Sequence, residues 1–195
     1  RRFSFWQYFY PEAQSLFQEA LGEVSLRDFY RAINHVEPSL IRVEADEATY
    51  NLHIIIRFEL EQAIINGELD TDDLPEAWNE KYKRYLGIET SEVASGVLQD
   101  VHWSAGLVGY FPTYSLGNLY ASQIFDAASA QLGNLDAMFQ TGEFAPLKNW
   151  LNREVHQLGQ CLSGPQLGEQ VTGSGLSHEA LMSHLQQKLV PIYGL

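Results

Sequence analysis

Two segments carry side chains whose types and spacing suit chemistry. The first is Ile41-Arg42-Val43-Glu44-Ala45-Asp46, three charges at the entrance to a strongly apolar stretch. A charge left unpaired in a protein interior is costly, so these groups need partners. One solution is an ion-pair network with Asp46 at a helix N-terminus. The other is an Arg42 that points into a cleft, where its planar fork grips a carboxylate bidentately. The second segment is Gly96-Val97-Leu98-Gln99-Asp100-Val101-His102-Trp103, followed by Gly109-Tyr110-Phe111-Pro112-Thr113-Tyr114. Asp100 near His102 suits a carboxylate that fixes an imidazole tautomer. Tyr110 and Tyr114 can donate O–H bonds to a developing oxyanion. The plain alternative is an aromatic loop packed on helices.

Other chemical signals fail on spacing. His178-Glu179 opens like a zinc-peptidase helix, but the next histidine is His184. Six positions on a helix put the two rings about 120° apart, not on one face. His35, His53, His102 and His156 stand alone in the sequence, and no Cys/His cluster has ligand spacing. Ser163-Gly164 and Ser174-Gly175 lack a nucleophile elbow. Cys161 has no local activating group and reads as a structural thiol.

The elements that must position the two segments read mostly as helix. Pro11 to Ala20 is a short helix closed by Gly22. Ser25 caps a second, with Leu26, Phe29, Tyr30 and Ile33 on one face. The longest helix is expected from Ala45 to Ile65. It is apolar on a second face through Ile54, Phe58 and Ile65, and therefore central. Asp73 and Glu76 suggest a capping box for a helix bearing Trp78, Tyr82, Tyr85 and Leu86, ended by Gly87. Ile88 to Tyr114 is irregular, aromatic and long, the kind of loop that often carries function. Leu116 to Leu132 and Phe144 to Leu158 are helical. Gly164 to Gly175 reads as a glycine-rich loop, and Ser177 caps a last helix that stops before Pro191.

Composition narrows the classes. The chain has 195 residues, with 45% hydrophobic and 12% aromatic content, which excludes disorder. Its net charge of −13 disfavours nucleic acid and anionic membrane surfaces as partners. No stretch is long and apolar enough to span a bilayer. The single cysteine excludes an intramolecular disulfide framework and fits a reducing compartment, hence a cytoplasmic setting. The opening Arg1-Arg2-Phe3-Ser4-Phe5-Trp6 lacks a signal peptide's apolar core. With Tyr8, Phe9 and Tyr10 close behind, it reads as the cut edge of a longer chain.

The two chemical segments together resemble the M32 family of zinc metallocarboxypeptidases. Residues 41–46 match its I-R-x-x-A-D motif, and residues 96–103 match its G-x-x-Q-D-x-H-W motif, at every defined position. The flanks 38–40, 49–53 and 109–118 are similar to the family as well. The family's H-E-x-x-H helix, its H-E-S-Q-type motif, and its H-P-F and D-x-R-x-T motifs are missing. The resemblance therefore implies that residues 1–195 are one C-terminal fragment of the catalytic domain. Its expected fold is mainly α, the bundle-like portion of a helical zincin with an active-site groove and little or no β.

By resemblance, Arg42 and Gln99 hold substrate or the cleft wall. His102 and Tyr114 face the tetrahedral intermediate, with Tyr110 behind them in rank. Asp100 orients His102, and Asp46 supports the site from behind. The expected reaction is removal of C-terminal residues from peptides with broad side-chain preference. Zinc serves the full-length protein, and none is bound catalytically by this fragment, which is expected to be inactive. Peptide substrate is the expected partner, with a homodimer as the family's usual assembly. The competing readings are a non-catalytic helical peptide-binding or dimerisation module and another helical zinc-peptidase family.

Overall fold

The computed structural model describes residues 2–89 and 92–195. Arg1 of the basic opening, and Thr90 and Ser91 of the expected irregular stretch, lie outside the described residues. The fold is helical, and no strand occurs among the described residues. The helices are α1 (Phe3–Leu16), α2 (Gln18–Leu21), α3 (Leu26–Ile33), α4 (Tyr50–Ile65), α5 (Leu74–Leu86), α6 (Pro112–Leu132), α7 (Leu135–Gln140), α8 (Ala145–Glu154), α9 (Gly164–Thr172) and α10 (Glu179–Tyr193). None of them is long and apolar enough to cross a membrane. Residues 1–195, read from the sequence as one piece, divide into two compact units: Arg1–Asn34 with Asn118–Leu195, and His35–Gly117.

In the first unit, α1 begins at Phe3 rather than at Pro11, and Pro11 lies inside it. Trp6 and Tyr10 pack on Phe29 with ring centroids 4.7 and 4.8 Å apart, and Phe9 stacks on Phe144 at 5.6 Å. That packing outweighs the hydrogen bond that proline cannot donate. Ser25 caps α3 as expected, its hydroxyl accepting from the Asp28 N–H at 3.1 Å. The Phe144–Leu158 stretch is not one helix. It breaks after Glu154 and resumes as a 3-10 turn at His156–Leu158. The expected loop from Gly164 to Gly175 is mostly α9. Ser163 and Gln166 form its capping box, in which Gln166 Oε1 accepts from the Ser163 N–H at 2.9 Å. Gly168 serves contact here, because a Cβ would stand 2.5 Å from Tyr120 Cε1. The N-cap of α10 is His178 rather than Ser177, although the Ser177 hydroxyl accepts from the Glu179 N–H at 3.1 Å, and α10 runs through Pro191 to Tyr193. Ala128, Leu135, Phe139 and Trp150 form the buried centre.

In the second unit, the helix expected from Ala45 starts at Tyr50. Asp46 Oδ1 accepts from the Ala48 and Thr49 N–H groups at 2.8 and 3.0 Å, and Oδ2 accepts from the Thr49 hydroxyl at 2.7 Å. These bonds close a turn ahead of α4 and satisfy donors that a helix start leaves open. At 16 residues α4 is shorter than α6, which has 21. The capping box at Asp73 does not form. Asp73 ends a 3-10 turn, Thr71–Asp73, and Asp70 accepts from the Asp72 N–H instead. Gly87 closes α5 as expected, in the left-handed conformation with φ 73°. Ile56 and Leu60 of α4 meet Trp78, Tyr82 and Leu86 of α5 in the core. Residues 92–111 wrap this pair without regular structure, and α6 begins at Pro112, where proline's missing donor costs nothing.

Candidate functional site

The expected site residues Arg42, Asp46, Gln99, Asp100, His102, Tyr110 and Tyr114 all lie in the His35–Gly117 unit. Asp100 is the meeting point. Its Oδ1 accepts from Arg42 Nε at 3.0 Å and Nη2 at 2.6 Å, and its Oδ2 accepts from Arg57 Nε at 2.7 Å. Burial alone would raise the Asp100 carboxyl, but hydrogen bonds from Arg42 and the charge of Arg57 outweigh it and hold it below the usual carboxylate range. Burial likewise opposes the charge on Arg42, and Asp100 more than restores it. Arg42 Nη1 donates to the Tyr50 hydroxyl at 3.0 Å, and the Arg42 N–H donates to Gln99 Oε1 at 2.9 Å.

Gln99 ties this network to both neighbouring elements. Its Oε1 also accepts from Arg57 Nη2 at 2.8 Å, while its Nε2 donates to the Leu40 and Ser95 carbonyls, each at 2.9 Å. Arg57 is fully buried. It donates to the His53 carbonyl at 2.8 Å, and its guanidinium lies 4.6 Å from the Trp78 ring centroid. His53 Nδ1 pairs with the Tyr82 hydroxyl at 3.0 Å. Burial, then the charges of Arg57 and Arg42, push the His53 imidazole down to about 4. It is therefore neutral at pH 7.

His102 and Tyr114 form the second part of the site. His102 Nε2 and the Tyr114 hydroxyl are 2.8 Å apart, and the Arg42 guanidinium stands 5.1 Å from the Tyr114 ring centroid. The expected orienting bond from Asp100 to His102 is not made. Asp100 Oδ1 lies 3.8 Å from His102 Nδ1, because two arginines already claim the carboxylate. His102 is held instead by its neighbours. Phe111 packs on it at 4.4 Å, and Glu61 Oε1 accepts from the adjoining Trp103 Nε1 and from the Gly109 N–H, both at 2.9 Å. Tyr110 is more exposed and lies 5.8 Å from His102, ring to ring. Asp46 closes the turn before α4, as described, and its Oδ2 accepts from the Glu37 N–H at 3.2 Å.

The arrangement can do two things. With Nδ1 of His102 protonated, Nε2 accepts a hydrogen bond from the Tyr114 hydroxyl. With Nε2 protonated, Tyr114 keeps its O–H to donate elsewhere. The Arg42–Asp100–Arg57 trio carries one more positive than negative charge, which favours an approaching anion. Among the described residues, no group of three His, Cys, Asp or Glu side chains gathers where a metal ion could sit. These residues do not by themselves make a metal centre.

Residues 1–189 match the family model described as Carboxypeptidase Taq (M32) metallopeptidase. The chain belongs to the M32 family. The chain is 51% identical over its whole length to Thermostable carboxypeptidase 1 of Thermus thermophilus, and 44% identical over 97% of its length to Carboxypeptidase 1 of Bacillus subtilis. It spans 38% of the length of each of those two relatives. The solved M32 carboxypeptidase of Deinococcus radiodurans superposes with a TM-score of 0.96 at 37% identity, over 100% of this chain and 39% of that one.

Sequence reasoning missed His53, Arg57, Glu61 and Tyr82. A signal was present: His53, Arg57 and Glu61 recur every four residues along α4 and are all buried. Of the apolar residues read as a second core face, Ile54 is buried as expected, whereas Phe58 and Ile65 are 41 and 72% exposed. The polar stripe of His53, Arg57 and Glu61 faces inward beside the buried Ile54, Ile56 and Leu60.

Proposed function

We propose that this M32 chain forms one wall of the substrate groove of a metallocarboxypeptidase that removes C-terminal residues from peptides with broad side-chain preference. One observation carries the reading: Arg42 and His102 from the two motifs, and Tyr114 from the flank that follows the second, meet within one unit around Asp100. In this reading Arg42 and Gln99 hold the substrate or the cleft wall. A charge-assisted contact to a peptide carboxylate is worth about 1.5–3 kcal/mol. Tyr114 donates to the oxyanion of the tetrahedral intermediate, and His102 sets which way its hydroxyl points. Tyr110 borders the same pair. Arg57 and Asp100 keep the wall rigid. Zinc belongs to ligands that this chain does not supply, so the 195 residues alone turn over no peptide. The same reading takes the longer protein as a cytoplasmic homodimer.

The test is to express the reading frame extended upstream and to measure amino-acid release from N-blocked peptides. The extended protein is expected to contain H-E-x-x-H and to release C-terminal residues. Tyr114→Phe should lower kcat with little change in KM. The 195-residue chain should release nothing, with or without added zinc. Turnover by the chain alone would overturn its assigned inactivity. An extended protein that binds peptide without cleaving it would establish the non-catalytic module instead.

A further inference from the structure

The first unit holds a half-open cavity of about 700 Å³ between α3 and the end of α10. That volume lies in the range of small-molecule sites. Arg27, Arg31 and Lys188 line it, three of the chain's 12 basic residues, against the single acid Asp28. Asp28 is already engaged, accepting from the Ser25 hydroxyl at 2.6 Å. Arg27 and Arg31 stand one helical turn apart on the same face, and neither side chain makes an ion pair or hydrogen bond among the described residues. Like charges at that spacing repel, and an anion between them turns the repulsion into attraction. Gln187 adds one uncharged polar side chain, and the other walls are mainly apolar. Phe3 and Tyr30 meet edge to face at 5.1 Å, and Pro191 and Ile192 complete the walls. In a chain of net charge −13, a local excess of positive charge over an apolar floor is a specific combination.

We infer that this cavity binds a small carboxylate with an apolar body, its charge held by Arg27 and Arg31 and its body laid against Phe3, Tyr30 and Ile192. The guanidinium fork suits a carboxylate in two-point contact. The apolar walls favour a ring or alkyl group over a bare ion. This site does not depend on the reading of the His102–Tyr114 wall.

Amide chemical shifts of the 195-residue protein, followed on titration, decide the matter. N-acetyl-L-phenylalanine should shift residues of α3 and the end of α10. Its amide, N-acetyl-L-phenylalaninamide, has the same body without the charge and should bind at least about tenfold more weakly. Arg27→Gln with Arg31→Gln should weaken the carboxylate by a similar factor. Both side chains are exposed, so spectra outside α3 should be unchanged. Equal binding of acid and amide, shifts confined to other helices, or no saturation by the acid would overturn the site. So would inorganic phosphate binding as tightly as the acid, since the apolar walls would then contribute nothing.

Discussion

The His35–Gly117 unit buries His53, Arg57 and Glu61 along one face of α4, whereas the polar groups buried in the other unit are the uncharged Ser4, Asn34 and Gln123. The first arrangement is held by partners that each need the others. Arg57 touches Asp100, Gln99, Tyr82 and the His53 carbonyl, and removing it strands groups with no water to turn to. The second is held by ring packing and aliphatic contact around Trp150, which degrade gradually as atoms are removed. Buried charge adds little net stability but penalises every alternative arrangement, so it suits a unit whose motif residues must keep fixed positions.

The sharpest way to break this contrast is Arg57→Met. It should destabilise the His35–Gly117 unit by about 3–5 kcal/mol, because Asp100 loses a partner in a dry site. Hydrogen exchange should rise sharply in α4 and stay unchanged in α8. Equal loss in both units would end the contrast. Acid comes next. His53 sits at about 4 when folded, below its ordinary 6.5. The unfolded chain therefore takes the proton first, and stability present above pH 6.5 is lost as pH falls toward 4. A shift of that size corresponds to about 3 kcal/mol. His53→Gln should flatten that slope in a series of melts, leaving the drop at lower pH that the depressed carboxyls of Asp100 and Glu59 contribute.

Two smaller changes probe the apolar unit. Gly168→Ala pushes a methyl into the Tyr120 ring and should cost about 2 kcal/mol, read as a lower denaturation midpoint with unchanged pH dependence. Ser163→Ala removes the hydroxyl that donates to Gln166 at 2.8 Å, and should cost about 1 kcal/mol with fraying confined to α9.

What the sequence discloses follows from how local each cause is. Ser25 ahead of α3 and Gly87 after α5 act within a few residues, and both perform as read. The irregular aromatic stretch is legible because no period runs through residues 92–111. Pro11 and Pro191 misled because packing from distant segments carries the helix through them. Gly164 and Gly168 suggested a loop, but the capping pair Ser163–Gln166 and the close approach of Tyr120 make a helix. In the candidate site, the two motifs exposed Arg42, Gln99, Asp100 and His102, and the aromatic segment after them exposed Tyr114. Arg57 stayed hidden because hydropathy counts it as a surface residue, and only its contact with Asp100 reveals its burial. The Asp100–His102 link was read from adjacency, which says nothing about competing arginines.

The outward row of Ile55, Phe58 and Ile65 on α4 has a practical side. Molecules carrying thirteen net negatives hold one another off at neutral pH, and that repulsion vanishes near pH 4.7. With it gone, greasy rows on neighbouring molecules can meet, so solutions should turn cloudy in mild acid and clear again on adding base or on replacing Phe58 with glutamate.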